Sequence, residues 1–184
     1  TSKEKSRITN LKTGYSEFLG IKFKLIRKSG KWVIKYHMTD KAITSQQKKL
    51  KKAIAEACRS HSLEQSQHSA IIAYNQMVVG MHEYYNMATM ICADVHKIFP
   101  SIDRTMKTRL NTKLTKEVPE KRKGGMDEYF YQKYQKSKQV RFINGMVVVP
   151  VAYCKTCNPM CHSPTVNRYT PEGRAEIHRM LLKD

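Results

Sequence analysis

Apolar and polar residues alternate along two neighbouring stretches near the start of the chain. Residues 15–26 (YSEFLGIKFKLI) and 31–37 (KWVIKYH) have this period of two, and a short glycine-containing turn lies between them. Side chains with this period point to opposite faces of a β-strand. The pattern therefore predicts a β-hairpin, in which Gly20 interrupts the alternation and marks a bulge.

The apolar spacing then changes to the period of a helix. Three stretches predict helices, at residues 39–59, 66–81 and 83–99. The third is apolar around most of its circumference, which is typical of a buried helix. Gly80 is expected to break the second helix or to allow close packing, and Pro100 to end or kink the third before it continues through Leu114. Short connections between three helices predict a bundle.

The last third of the sequence predicts a small extension to this bundle. A basic linker at 116–126 precedes a short helix at 127–138, and Asn144-Gly145 is a strong signal for a second hairpin. Thr170 and Pro171 are suited to begin a final helix. The predicted fold class is α+β, mainly α: a three-helix bundle preceded by a β-hairpin and followed by a small hairpin-plus-helix extension.

Charge narrows the choice of partner. The chain has 34 Lys and Arg against 15 Asp and Glu, a net charge of +19, which indicates a polyanion. Residues 1–61 carry a net +12 and residues 97–184 a net +10, whereas residues 62–96 contain no Lys or Arg. A neutral, apolar middle between two basic segments predicts a buried core with flanks that face nucleic acid. No apolar run is long enough to span a membrane, and none is expected to do so.

Three groups of basic residues are the candidate RNA contacts. The first helix carries a basic face on which no Glu precedes a lysine by four residues, and this favours phosphate binding over a merely solvated face. The continuation of the third helix and the linker supply the others. The candidates are Lys41, Lys48, Lys49, Lys52 and Arg59, then Arg104, Lys107 and Arg109, then Lys121, Arg122 and Lys123.

A cysteine-rich block is a candidate zinc site. Cys154 and Cys157 could supply two thiolate ligands, and Cys161 or His162 a third. A closed structural site needs a fourth ligand that is not evident, so incidental cysteines are preferred. The five cysteines of the chain are an odd number, which indicates a reducing compartment. The acids are sparse and scattered, with no adjacent Asp pair, and the sequence has no glycine-rich phosphate loop, so the chain alone does not resemble an enzyme.

Three blocks of sequence, in order, resemble group II intron reverse transcriptases. Residues 14–22 (GYSEFLGIK) are similar to the end of the palm in that family. The run Tyr74-Asn75, Gly80, Tyr84-Tyr85 and Ala88 is similar to its thumb, or maturase, domain. Residues 147–153, 158–160 and 167–174 resemble the stretch that follows the thumb.

The resemblance implies a protein that binds its intron RNA, assists splicing and grips the template–primer duplex during reverse transcription and retrohoming. It implies three regions: the end of the palm at 1–38, the thumb at 39–115, and a basic linker with the start of a DNA-binding region at 116–184. Phe18, Leu19 and Gly20 would lie near the primer. The catalytic aspartates and their Mg²⁺ are expected in a palm upstream of this chain, which itself needs no cofactor and is inactive alone.

The resemblance also implies the rest of a reverse transcriptase polypeptide as a partner, allows target DNA as another, and suggests a bacterial cytoplasm or an organelle. The alternative is a free-standing basic nucleic-acid-binding module without a polymerase role, which the cysteine block could stabilise by binding zinc.

Overall fold

The computed structural model describes residues 8–59, 64–110, 114–120, 124–157 and 169–181. The strands are β1 (Ser16–Phe18), β2 (Ile21–Lys28), β3 (Lys31–Met38), β4 (Arg141–Ile143) and β5 (Met146–Val148). The helices are α1 (Asp40–Arg59), α2 (Glu64–Tyr85), α3 (Ile91–Leu110), α4 (Gly125–Tyr134) and α5 (Pro171–Leu181). The predicted class, α+β and mainly α, is confirmed.

The first sheet has three antiparallel strands in the order β1-β2-β3, one more than the predicted hairpin. Gly20 does not mark a bulge, because Leu19 and Gly20 form a two-residue turn between β1 and β2 with φ angles of 48° and 78°. Ser29 and Gly30 form an equivalent turn between β2 and β3, with the same angles. Two residues at positive φ give a turn whose twist matches that of the flanking strands. The interruption of the alternating pattern at this position is therefore the end of one strand and the start of the next.

The bundle runs up, down and up. The Gln47 side-chain amide donates to the carbonyl of Lys97 over 3.1 Å, and Cys58 Sγ lies 3.8 Å from the carbonyl of Arg109, so α1 and α3 are parallel. Gln67 near the start of α2 reaches the carbonyl of Ala57 near the end of α1, so α2 is antiparallel to both. The predicted apolar face of α1 is buried, as Ile43, Leu50, Ile54 and Ala57 all lie in the core.

Two details of the helix prediction are wrong, and for a third one of its two alternatives is excluded. The predicted third helix spans the connection between α2 and α3. Residues 86–90 form a turn there that contains no Gly or Pro, and its Met87, Ala88 and Met90 continue the apolar pattern. Gly80 neither breaks α2 nor allows close packing, since it is exposed and a Cβ there would meet nothing within 4 Å. Pro100 lies inside α3 without ending it; the proline is exposed, so the hydrogen bond that it removes falls on the solvent side.

The extension packs on α2 through polar groups that are buried. Asn75 donates from Nδ2 to the carbonyl of Val147 over 2.8 Å and accepts the N–H of Val149 at Oδ1 over 2.9 Å. Asn75 thus serves as an added partner for the strand segment that begins with β5. The Asn144-Gly145 hairpin is confirmed, and Thr170 Oγ1 caps α5 by accepting the N–H of Gly173 over 3.1 Å. Bundle and extension share one hydrophobic core.

The sheet is tied to the bundle at the start of α3. Asp94 is fully buried in the first turn of α3, and its carboxylate accepts the N–H of Met38 over 2.8 Å and lies 3.1 Å from Nδ1 of His37. Lys97 Nζ lies 3.3 Å from the same carboxylate. Asp94 is therefore a packing partner that joins β3 to α3. Across the described ranges, no helix has the length and apolar character needed to cross a membrane.

Candidate nucleic-acid interface

Four lysines of α1 form an exposed surface, called here the α1 lysine face: Lys41, Lys48, Lys49 and Lys52. At 100° per residue, Lys41, Lys48 and Lys52 lie opposite the residues that α1 buries, and Lys49 flanks them. Within the described residues, none of the four ammonium groups has a carboxylate within 4 Å. A shallow groove runs between them over the small side chains of Thr44 and Ser45. The α1 lysine face is thus free to bind anions.

Arg59, at the end of α1, differs from the four lysines. It is exposed, but its guanidinium contacts the carboxylate of Glu56 at 2.7 Å. The acid stands three residues before the arginine, a spacing that a search for acids four residues upstream overlooks. The ion pair is exposed and therefore weak, yet it lowers the charge that Arg59 can offer to a phosphate.

The basic residues of α3 do not form one surface. Arg104 and Lys107 are exposed about 60° apart on the helix, whereas Arg109 lies roughly 140° or more from both. Lys107 also pairs with Asp103 at 2.8 Å. The structure therefore brings Arg104 and Lys107 together and places Arg109 apart from them, next to the end of α1. The predicted contacts in the linker, Lys121, Arg122 and Lys123, lie outside the described residues.

The Phe18-Leu19-Gly20 turn is held against the end of α2. Tyr84 Oη donates to the carbonyl of Leu19 over 2.9 Å, and a Cβ on Gly20 would stand 2.9 Å from Oη of Tyr85. The side chains of Phe18 and Leu19 are 66% and 67% exposed. A fixed backbone with two projecting apolar side chains offers a surface for packing against a flat group such as the face of a base.

The cysteine block differs in its two described members. Cys154 is buried, and this burial raises the pKa of its thiol to about 11, so the thiol stays protonated at neutral pH. Cys157 is exposed, and its backbone N–H donates to the carbonyl of Asn86 over 2.9 Å. Cys161 and His162 lie outside the described residues. Because zinc binds the thiolate, the environment of Cys154 disfavours it as a ligand.

A buried histidine joins α2 to the extension. His82 Nε2 lies 2.8 Å from the carbonyl of Val151, and Nδ1 lies 2.8 Å from Oη of Tyr134. Since a carbonyl can only accept, Nε2 carries the proton and Nδ1 accepts from the tyrosine. Burial lowers the pKa of His82 to about 4, so the ring is neutral at physiological pH. These contacts give His82 a structural role as a link between helices and the strand segment.

Sequence reasoning did not select the lysines of β2 and β3 as contacts. Their signal is visible in hindsight as lysines separated by an even number of positions, which places them on the same face of a strand. These are Lys22 and Lys24 on β2, and Lys31 and Lys35 on β3. Which face each lysine occupies depends on the register between the strands, and the sequence did not fix that register. A comparison with protein-family models, curated proteins and solved structures finds no match to this chain.

Proposed function

We propose that this chain is the RNA-binding thumb, or maturase, portion of a group II intron reverse transcriptase, and that it binds intron RNA and the template–primer duplex. The observation that carries the proposal is the α1 lysine face, which presents four ammonium groups without a carboxylate partner among the described residues. The three blocks of sequence resemblance supply the family, and the basic charge of the whole chain agrees with an RNA partner.

The spacing of these lysines suits a phosphate backbone. Lys41 and Lys48 are about 10 Å apart along the helix axis, and Lys48 and Lys52 about 6 Å apart. Aliphatic stems let the charged groups adjust to a partner. The groove between Lys41 and Lys48 is lined by Thr44 and Ser45, with Asp40 at its edge. Such a surface recognises backbone charge and shape rather than base edges, which is how A-form duplexes are held.

The Phe18-Leu19-Gly20 turn supports the second half of the proposal. In the proposed role, Phe18 and Leu19 would pack near the primer strand, while Tyr84 and Tyr85 hold the turn in place. Chemistry is assigned to a palm domain with its own Mg²⁺. This chain would bind and position nucleic acid.

Neutralising the α1 lysine face tests the proposal. The triple variant Lys48→Gln, Lys49→Gln and Lys52→Gln is expected to bind a structured group II intron RNA at least about tenfold more weakly. The slope of log K against log salt should become smaller by about 2 to 3, because up to three phosphate contacts are lost. A matched control, Lys116→Gln, Lys136→Gln and Lys138→Gln, removes the same charge from exposed lysines elsewhere and should have a small effect. Affinities are measured by filter binding across a salt series.

An unrelated structured RNA of equal length separates the proposal from its alternative. Tighter binding to the intron RNA that persists as salt rises supports a maturase thumb. Equal affinities for both RNAs that fall together with salt would contradict the family assignment and leave a free-standing basic module.

A further inference from the structure

The two-stranded ribbon of β2 and β3, residues 21–38, has two chemically different faces. The register pairs Phe23 with Tyr36 and Leu25 with Ile34 on one face. The other face carries the pairs Lys24 with Lys35, Ile26 with Val33, and Lys28 with Lys31. The ribbon contains six Lys or Arg and no Asp or Glu. The first face is therefore mainly apolar and aromatic, with Arg27 opposite Trp32 near its tip, and the second face carries the opposed lysine pairs.

Four residues of the basic face are called here the ribbon lysines: Lys24, Lys28, Lys31 and Lys35. They stand directly opposite one another in two like-charged pairs, an arrangement that destabilises a sheet. In the described part of the chain, none of the four has a carboxylate within 4 Å. A sheet that keeps two opposed lysine pairs without acids has an arrangement that a bound anion would stabilise.

At the base of the same face, where the ribbon joins the bundle, the basic side chains do have carboxylate partners. Lys22 contacts Asp40 at 2.9 Å, and this hydrogen bond raises the pKa of the lysine. His37, its cross-strand neighbour, contacts the buried Asp94 at 3.1 Å. Acids thus accompany the basic groups where the ribbon joins the bundle, and they do not accompany the ribbon lysines farther out.

We infer that the ribbon lysines form a second phosphate-binding surface, for the backbone of double-stranded RNA. The two lysine pairs lie about 13 Å apart along the ribbon. The residues between them, Ile26 and Val33, offer no side-chain hydrogen bond to a base, so the contact would not depend on sequence. This surface is separate from the α1 lysine face, and its action does not require that the RNA be an intron.

Two features favour a duplex over other polyanions. Proteins that bind single strands stack bases on aromatic side chains beside the basic groove, whereas Trp32 and Tyr36 lie on the opposite face of the ribbon. A membrane surface would need large apolar side chains at the same interface as the basic groups. Between the ribbon lysines the apolar side chains are the aliphatic Ile26 and Val33, whereas Trp32 and Ile34 lie on the other face of the ribbon. The backbone of a duplex needs charge alone.

The test replaces all four ribbon lysines, as Lys24→Gln, Lys28→Gln, Lys31→Gln and Lys35→Gln. The ligand is an RNA duplex of about 20 base pairs with no intron sequence, and its affinity is measured between about 50 and 200 mM salt. We expect at least a tenfold loss of affinity at the lower salt and a slope of log K against log salt that is smaller by about 3 to 4.

The matched control removes four exposed lysines elsewhere, as Lys116→Gln, Lys136→Gln, Lys138→Gln and Lys155→Gln. If this control loses as much affinity and slope as the ribbon variant, net charge explains the binding and the inference fails. It also fails if vesicles containing phosphatidylserine bind the chain more tightly than the RNA duplex does.

A folding control keeps the test decisive. Removing opposed like charges should not lower the thermal midpoint, and a variant with arginine at the same four positions should bind the duplex as the original chain does. An arginine variant that folds but loses affinity contradicts the inference. If the α1 triple variant loses its preference for intron RNA while the ribbon variant binds the duplex normally, the ribbon inference is rejected and the proposed function stands. If the α1 triple variant keeps its binding to intron RNA while the ribbon variant loses affinity for the duplex, only the proposed function is rejected.

Discussion

Two glycines of the first sheet have the same backbone conformation and different surroundings. Gly20 and Gly30 both have a φ of +78°, a value that L-residues rarely adopt. A Cβ on Gly30 would meet nothing within 4 Å, whereas a Cβ on Gly20 would stand 2.9 Å from Tyr85 Oη and 3.8 Å from the Cβ of Ala42. The pair therefore separates backbone strain from steric contact.

We expect Gly20→Ala to destabilise the chain more than Gly30→Ala does. The Gly30 change should cost about 1 kcal/mol of unfolding free energy from backbone strain alone, and the Gly20 change about 2 to 3 kcal/mol because the Tyr85 ring must also move. Urea denaturation measures both. Combining Gly20→Ala with Tyr85→Phe should recover part of the loss, and equal costs for the two glycines would contradict the packing of the turn on α2.

His82 makes stability depend on pH. Its pKa in the folded chain is about 4 against an ordinary value of 6.5, so between these values the unfolded chain binds more protons than the folded one. Stability is therefore fully present above about pH 6.5 and falls as the pH drops towards 4. At about 1.4 kcal/mol per pH unit, the loss over this interval is roughly 3 kcal/mol.

Unfolding by urea at several pH values between 7.5 and 4 measures this loss. His82→Gln should be less stable at neutral pH and should lose the component of the pH dependence that His82 supplies. His96→Gln is the matched control, because it replaces a histidine that is exposed on α3. Identical profiles for both variants would show that the histidine is not buried as described.

At the scale of elements, one carboxylate joins the sheet to the bundle. Asp94 accepts the N–H of Met38 from β3 while it occupies the first turn of α3, where a negative charge also interacts well with the helix dipole. Asp94→Ala leaves that buried N–H without its acceptor and should cost about 3 kcal/mol of unfolding free energy.

Asp103→Ala provides the comparison on the same helix. Asp103 pairs with Lys107 at the surface, and exposed pairs of this kind contribute at most about 1 kcal/mol. A cost for Asp94→Ala that is as small as the cost for Asp103→Ala would mean that β3 does not depend on the carboxylate for its attachment to α3.

The sequence pattern predicted the starts of helices and hairpins better than the connections between consecutive elements. The start of α1 at Thr39-Asp40, the Asn144-Gly145 turn and the Thr170 cap are local signals, and each is confirmed. The turn at residues 86–90 was missed because it contains no Gly or Pro to mark it, and Met87, Ala88 and Met90 continue the apolar pattern of the helices on either side. The Leu19-Gly20 turn was mistaken for a bulge because leucine at positive φ has no sequence signature.

At the scale of the whole molecule, charge predicted the candidate surface in part. The exposure of the α1 lysine face follows from helical spacing, because the apolar face of α1 fixes which side is buried. The separation of Arg109 from Arg104 and Lys107, and the pairing of Arg59 with Glu56, depend on geometry that net charge does not contain. The buried contacts of Asn75 and His82 join residues about 70 positions apart, which no local pattern predicts.

The order of strands in the first sheet has a consequence for self-association. β3 is an edge strand, and its outward backbone groups at Tyr36 and Met38 are occupied by the start of α3 and the turn before it. Nearer the tip, the backbone N–H and C=O groups of Trp32 and Ile34 also face outward from this edge. An edge of this kind is a template for pairing with a strand of a second chain. Lys31 and Lys35 flank these positions, and the repulsion between their charges on two chains disfavours edge-to-edge pairing, so the lysines protect the chain from aggregation.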